Sequence, residues 1–264
     1  MMYNGNRKQT SSTFYKKYME LTIIGTGSKG NSYILGNKDE ALLIECGVNI
    51  KEIKQALNFD LSKVVGCICT HEHMDHSKSI WDVMKLGINV YSSNGTLKSR
   101  FVHEQSRAKK IVSKQTFQIG NFKILAFDVK HDAAEPLGFL IEHPDCGKVL
   151  FLTDTNYCEY TLPGLNNIII EANFSKEIID RKFGSESGLE FLRNRILRSH
   201  FSLANCKDML SANDLSKVNN IVLIHLSDSN SDEKQFQKEV SELTGKNVTV
   251  ANNGMKINFN KTPF

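Results

Sequence analysis

Three histidines and an aspartate fall within six residues of the segment Thr70-His71-Glu72-His73-Met74-Asp75-His76. Imidazole nitrogen and carboxylate oxygen are the usual protein ligands for Zn, Mn and Fe. The segment directly follows the apolar run VVGCIC at 64–69. A tight loop at a strand end can aim several such side chains into one cleft. A helix starting there would turn its N-terminus, and a preference for anions, toward the same cleft. A surface histidine cluster that binds nothing is the plain alternative, but the HxHxDH spacing is too specific to favour it. Three single residues also stand at the ends of apolar runs: His131 after 122–130, Asp154 after 148–153 and His225 near the end of 218–226. Each alone reads as an ordinary structural residue. Their shared placement matters, because side chains from several strand ends converge on one edge of a sheet.

The elements that would position them come in two similar groups. LTIIG (21–25), SYIL (32–35), ALLIE (41–45), VVGCIC (64–69) and NVYSS (89–93) read as strands, with helices over 50–58 and from Ser77, a candidate N-cap, to Leu86. FKILAFDVK (122–130), GFLIEH (138–143), KVLFLTD (148–154), NNIIIEA (167–173), VNNIVLIHL (218–226), VTV (248–250) and KINF (256–259) read as a second set. Helices are expected over 186–199, 203–212 and 231–244. No linker rich in Pro, Gly or Ser separates the halves. The expectation is an α/β fold, with two stacked mixed β-sheets flanked by helices in one domain over 19–264. The polar residues 1–18 form an N-terminal extension.

Composition excludes several classes. The chain has 264 residues, 40% hydrophobic and 23% charged, with a formal net charge of +4. That is an ordinary globular balance, neither fibrous nor disordered. No apolar run is long enough to span a membrane and no secretory signal precedes Met19, so a cytoplasmic location and no membrane partner are expected. The six cysteines form no CxxC pair and read as buried reduced thiols.

The order HxHxDH, then His, then Asp, then His resembles the metal signature of the metallo-β-lactamase fold family, over residues 19 to about 259. The resemblance implies an αββα sandwich and two divalent metal ions, Zn or Mn. One metal would be held by His71, His73 and His131, the second by Asp75, His76 and His225, with Asp154 between them. Gly27-Ser28-Lys29-Gly30-Asn31-Ser32, His131-Asp132-Ala133-Ala134-Glu135-Pro136-Leu137-Gly138-Phe139, Thr153-Asp154-Thr155 and His225-Leu226-Ser227 are similar to segments of the YycJ (WalJ) branch. That likeness implies nuclease activity, and a homodimer is a family-level expectation. Departures touch the surroundings of the metals. Glu45 stands where the branch carries Asp, Phe174 where it carries His, and His200 keeps its position without the flanking Gly and Asn.

Two metals can activate water at neutral pH and stabilise charge on a phosphoryl oxygen. Asp75 would orient the nucleophile. His200 would bind the phosphate or protonate the leaving oxygen, although a role at a helix start beside Ser202 fits it equally. The segment 98–114 carries Lys98, Arg100, Arg107, Lys109, Lys110 and Lys114 against one acid, Glu104, and a second cluster holds Arg193, Arg195 and Arg198. Such charges commonly form a solvated face. Lys98, Arg100 and Arg107 are the candidates for phosphate contacts, and Lys98, Arg100 and Phe101 would give the mixed charge and stacking that single-stranded ligands use. Four readings follow: a nuclease on DNA or RNA, a phosphodiesterase of small cyclic nucleotides, a hydrolase of carboxylic esters, lactones or thioesters, and a non-catalytic metal-binding protein. A basic groove favours the first, a closed pocket the second, an apolar pocket the third and a lost ligand the fourth.

Overall fold

The computed structural model describes residues 18–183 and 190–263. Apart from Tyr18, the expected N-terminal extension lies outside the described residues, as do positions 186–189 of one expected helix.

The first half of the chain runs β1 (Glu20–Gly25), β2 (Ser32–Gly36), β3 (Ala41–Ile44), α1 (Ile50–Ala56), β4 (Val64–Ile68), α2 (Met74–Ser77), α3 (Ile80–Lys85), β5 (Val90–Ser92), α4 (Asn94–Ser99) and β6 (Ala108–Lys110). The second runs β7 (Thr116–Ile119), β8 (Phe122–Asp128), β9 (Leu137–His143), β10 (Gly147–Leu152), β11 (Leu165–Glu171), α5 (Lys176–Phe183), α6 (Glu190–Ser199), α7 (Leu203–Ser211), β12 (Asn220–Ile224), α8 (Glu233–Thr244), β13 (Asn247–Val250) and β14 (Lys256–Asn258). The sheets have the orders β14-β1-β2-β3-β4-β5-β6 and β13-β12-β11-β10-β9-β8-β7. In the first sheet the β14 to β3 pairs are antiparallel and the β3 to β6 pairs parallel. The second repeats this, antiparallel from β7 to β10 and parallel from β10 to β13.

Both faces of each sheet are covered, so the central strands are apolar on both sides rather than alternating with polar residues. Leu42 and Ile44 of β3 enter the core between the sheets, and Leu43 faces the layer of α1 and α3. In the second sheet Ile169 of β11 and Val222 of β12 join the inter-sheet core, while Ile168, Ile170, Ile221 and Leu223 pack with α7 and α8 through Cys206, Leu210, Phe236 and Val240. Period-two side-chain alternation thus divides one apolar run between two cores.

The expected helix from Ser77 to Leu86 is two short pieces instead. Ser77 closes α2 and its hydroxyl donates to the Glu72 and His73 carbonyls, 2.7 and 3.0 Å away. Ser79, not Ser77, precedes α3. The break lets the metal-motif loop turn back on itself. In the basic segment 98–114 the chain ends α4 and forms the edge strand β6, so its charges share no helix face. The expected strands are all present, with no end shifted by more than two residues.

Candidate metal centre

β3, β4, β8, β10, β11 and β12 all point their C-terminal ends at one rim of the sandwich. The loop after β4 supplies His71 and His73, and α2, which follows at once, supplies Asp75 and His76. His131 follows β8, Asp154 follows β10 and His225 follows β12, as their positions at strand ends led one to expect. His71, His73 and His131 offer ligand atoms all within 4.8 Å of one another; so do His71, His76 and Asp154, and likewise Asp75, His76 and His225. His73 Nδ1 lies 3.1 Å from His131 Nε2. His76 Nε2 lies 2.9 Å from Asp154 Oδ2, and His225 Nε2 lies 3.2 Å from Asp75 Oδ2.

The loops are locked against each other. Asn31 sends its backbone amide to the Asp75 carbonyl at 2.6 Å, and its side-chain amide lies 3.2 Å from His76 Nε2. Gly47 must be glycine, because a Cβ there would sit 1.7 Å from the Asp75 carbonyl oxygen. Asp154, His225 and Glu45 all adopt positive φ, at 47°, 55° and 61°. Residues with side chains hold that conformation only when their surroundings fix it. The Asp154 amide donates to Glu171 Oε2 at 2.7 Å; the His225 amide donates to Thr26 Oγ1 at 3.0 Å, and its carbonyl accepts from Asn173 Nδ2 at 2.7 Å.

Sequence reasoning missed Glu171, the last residue of β11. This fully buried carboxylate lies 2.9 Å from His200 Nδ1 and 3.1 Å from His225 Nδ1, and accepts the Phe201 amide at 3.1 Å. The only signal in the sequence was an acid closing an apolar run that ends on the same rim. His200 Nδ1 also lies 3.0 Å from Asp154 Oδ1. The capping role weighed for this region belongs to Ser202, whose hydroxyl accepts the Asn205 amide at 3.0 Å. Glu45 is fully buried with Oε1 3.6 Å from His76 Nδ1, beyond hydrogen-bonding reach. Phe174 is core, packed with Ile179, Ile196 and Leu197 under α5 and α6.

Charge is balanced within the cluster. Burial pulls His71 well below its ordinary pKa. Burial would also lower His200, but the Glu171 and Asp154 carboxylates outweigh it and push the ring up to about 10. His225 is likewise raised, to about 9, by Asp154, Asp75 and Glu171 against the burial penalty. Burial would raise Asp154 and Asp75, yet the surrounding imidazoles hold both well below the usual carboxylate range. Buried carboxylates kept ionised beside imidazoles suit a cation. One atom makes the fit specific: His71 Nε2 is buried and has no hydrogen-bond partner, while its Nδ1 lies 2.9 Å from Thr70 Oγ1. A ring oriented through one nitrogen with the other left bare is the usual arrangement of a metal-binding histidine.

A cavity of about 240 Å³ opens on this cluster, lined by His73, Asp75, His131, Asp154, His200 and His225 together with Ser28, Asp132, Asn173, Ser199, Leu226 and Ser227. Leu226 is its one aliphatic lining residue, so the apolar pocket expected for an ester or lactone hydrolase is not built here. Lys98, Arg100 and Arg107 are not among its lining residues. Arg100 reaches the rim, its Nη1 3.1 Å from Met74 Sδ. Lys98 is exposed on α4. Arg107 points away, 3.3 Å from Asn89 Oδ1 at the start of β5. Arg198 is exposed at the end of α6, while the side chains of Arg193 and Arg195 lie outside the described residues.

The beta-lactamase superfamily domain matches residues 41–226, and the chain belongs to that family. Exodeoxyribonuclease YycJ of Bacillus anthracis is 27% identical over 242 residues, covering 85% of this chain and 89% of that protein. Exodeoxyribonuclease WalJ of Streptococcus pneumoniae is 28% identical over 255 residues, covering 90% and 91%. Among solved structures, the metallo-beta-lactamase fold protein YhfI from Bacillus subtilis superposes with a TM-score of 0.70 at 17% identity, covering 90% of this chain and 99% of that one. No helix among the described residues is long and apolar enough to cross a membrane.

Proposed function

We propose that this chain hydrolyses phosphodiester bonds with two divalent cations, Zn or Mn, and that its substrate is DNA or RNA. The observation that carries the reading is the clustering of His71, His73, His131, Asp154, Asp75, His76 and His225 behind one polar cavity, which His73, Asp75, His131, Asp154 and His225 line, with His71 Nε2 left bare. Two relatives that match 85% and 90% of this chain are named exodeoxyribonucleases, which supports a nucleic-acid substrate. His71, His73 and His131 would hold one cation, Asp75, His76 and His225 the other, and Asp154 would touch both. Bound there, the cations would supply electrophilic pull on a phosphoryl oxygen and lower the pKa of water.

The protein's own groups do the rest. Asp75 is a largely buried carboxylate on the cavity wall, its side chain 24% exposed, held by His225 and His76, and can orient an attacking water. His200 has Nδ1 engaged by Glu171 and Asp154, which leaves Nε2 for substrate. Kept protonated by those carboxylates, it presents a positive N–H to a phosphoryl or leaving oxygen.

The test is hydrolysis of bis-p-nitrophenyl phosphate, linear DNA, RNA and 3′,5′-cyclic nucleotides by protein reconstituted with Mn or Zn, with Asp75→Ala as control. Cleavage of the polymers that disappears in the variant is expected. Turnover of cyclic nucleotides alone would reassign the substrate to small nucleotides, and inactivity on every diester despite bound metal would overturn the reading.

A further inference from the structure

Phe101 occupies a position made for glycine. It follows Arg100, the C-cap of α4, and adopts φ 56°. Its amide donates to the Lys98 carbonyl and the Val102 amide donates to the Leu97 carbonyl, both at 2.9 Å. These bonds close a helix end whose left-handed residue is ordinarily Gly, since the conformation is disfavoured for a bulky side chain. The ring gains no burial in exchange: it is 81% exposed. A large aromatic held in an unfavourable backbone conformation with its face in water contributes little to folding.

Its surroundings connect it to the metal cluster. The first turn of α4 is tied to the loop after His131 by the Gly95 amide, which donates to Glu135 Oε2 at 2.7 Å. That loop is tied in turn to the metal motif by the Ala134 amide, which donates to Glu72 Oε1 at 2.8 Å. At the other end of α4, Arg100 Nη1 lies on Met74 Sδ, and Met74 stands between His73 and Asp75 with 55% of its surface exposed. Arg100 is thus seated on the exposed Met74 of the metal motif, the exposed Phe101 follows it directly in the chain, and Lys98 is exposed on the last turn of α4. Phe59 sharpens the point. It too is exposed, 69%, at φ 60°, but it lies between α1 and β4, at the end of the sheet away from the cluster. Exposure and strain alone do not single out Phe101; its place does.

We infer that Phe101, Met74 and Arg100 form a stacking platform for an unpaired base of a single nucleic-acid strand whose phosphodiester enters the metal cavity. The inference rests on the phosphodiester reading above and narrows it to a strand end or gap with exposed bases. A base face stacks on an aromatic ring without regard to sequence, and flanking cations hold the backbone. A paired duplex keeps its base faces covered and gains only the charge contacts.

The experiment is fluorescence anisotropy with the metal-loaded protein and phosphorothioate strands that resist cleavage: a labelled single DNA strand, the same strand annealed to its complement, and a labelled RNA strand. Wild-type protein should bind the single strand more tightly than the duplex. Phe101→Gly and Phe101→Ala should weaken single-strand binding roughly 5- to 100-fold, and Phe101→Trp should restore it. Phe59→Gly should leave it unchanged. Phe101→Gly should melt no lower than wild type, because Gly suits the helix end. Lys98→Gln should reduce the slope of log affinity against log salt by about 0.7. Equal binding of single strand and duplex, an unchanged affinity in Phe101→Gly, or a lower melting temperature in that variant would each overturn the inference. Wild-type turnover of bis-p-nitrophenyl phosphate, measured in parallel, reports on the phosphodiester reading by itself.

Discussion

The two ends of the sandwich are both polar, and they treat their polar atoms in opposite ways. At the far end, three asparagines stand in register near the starts of three adjacent parallel strands: Asn167, third in β11, Asn220, first in β12, and Asn247, first in β13. Asn247 Nδ2 donates to Asn220 Oδ1 at 2.9 Å, and Asn220 Nδ2 to Asn167 Oδ1 at 2.8 Å. Asn167 Nδ2 in turn faces the carbonyls of Cys146, Phe259 and Asn260 at 3.1–3.3 Å. The ladder sews the end of the chain to the second sheet, and every amide in it has a partner. At the other end, imidazoles and carboxylates face one another. Among the described residues, the buried side-chain atoms with no hydrogen-bond partner are His71 Nε2, Glu72 Oε2, His76 Nδ1, Arg100 Nε and Asn156 Oδ1. Three belong to the metal motif, one to the residue resting on Met74 and one to the loop after Asp154. A buried polar atom left unpaired costs stability. Concentrating that cost at one rim marks it as the end that awaits a ligand, whereas the asparagine end is complete.

The sharpest way to break this contrast is to remove the carboxylate at its centre. Asp154→Ala should lower phosphodiester hydrolysis at least about 1000-fold, or about 4 kcal/mol of transition-state stabilisation. It should also reduce the metal content measured by elemental analysis. In the wild type, excess Mn or Zn at about 100 times its Kd should raise stability by about 2.7 kcal/mol, seen as a higher Tm, and chelation should reverse it. An Asp154→Ala protein that still gains the full Tm shift would show that this rim is not the metal site.

The converse experiment is Asn167→Ala. It strips several backbone carbonyls of a donor and Asn220 of one of its two acceptors, so unfolding free energy should fall by about 2–3 kcal/mol. Specific activity per folded molecule should stay at the wild-type level, because the ladder lies a strand length, about 20 Å, from the cavity. Urea denaturation gives the first quantity and steady-state kinetics the second. A large loss of kcat in protein shown to be folded would mean that the two ends are coupled.

Glu171 tests how far the cluster extends past its ligands. Glu171→Gln keeps the shape and removes the charge that orients His200 and His225, and outer-shell changes of this kind cost about 10- to 100-fold. The loss should fall on kcat, with KM for bis-p-nitrophenyl phosphate little changed. This residue also shows where reading the sequence stops. The seven ligand candidates were legible because HxHxDH is a local pattern and the other three end apolar runs. The sandwich was legible because its central strands are apolar on both faces. Glu171 closes such a run too, but nothing local says that it meets His200 and His225, 29 and 54 positions away. The asparagine ladder was hidden for the same reason, since nothing local says that Asn167, Asn220 and Asn247 stand side by side until the strands are paired. Phe101 was legible as the aromatic among the cations of 98–114, but its left-handed backbone was not, because it is set by the end of a helix too short to read from periodicity.

A small pH effect distinguishes the ends once more. Glu40, buried at the far end in the turn between β2 and β3, accepts the Asn121 amide at 2.9 Å and its side-chain amide at 2.6 Å, and lies 3.1 Å from His143 Nε2. Burial would raise its pKa, but these donors outweigh it and hold the carboxyl below its ordinary value. The unfolded chain therefore binds a proton here more readily than the folded one. The stabilisation is fully present above the unfolded pKa and is lost as pH falls through the folded pKa. Glu40→Gln keeps one acceptor oxygen and should cost about 1 kcal/mol at neutral pH. The gap between variant and wild type should close as the pH drops through the carboxylate range, because protonation then takes the same charge from the wild type. Urea midpoints measured for both proteins across that range give the gap directly. A gap that persists unchanged in acid would mean that Glu40 acts through its shape and not its charge, leaving the far end with no titrating element of its own.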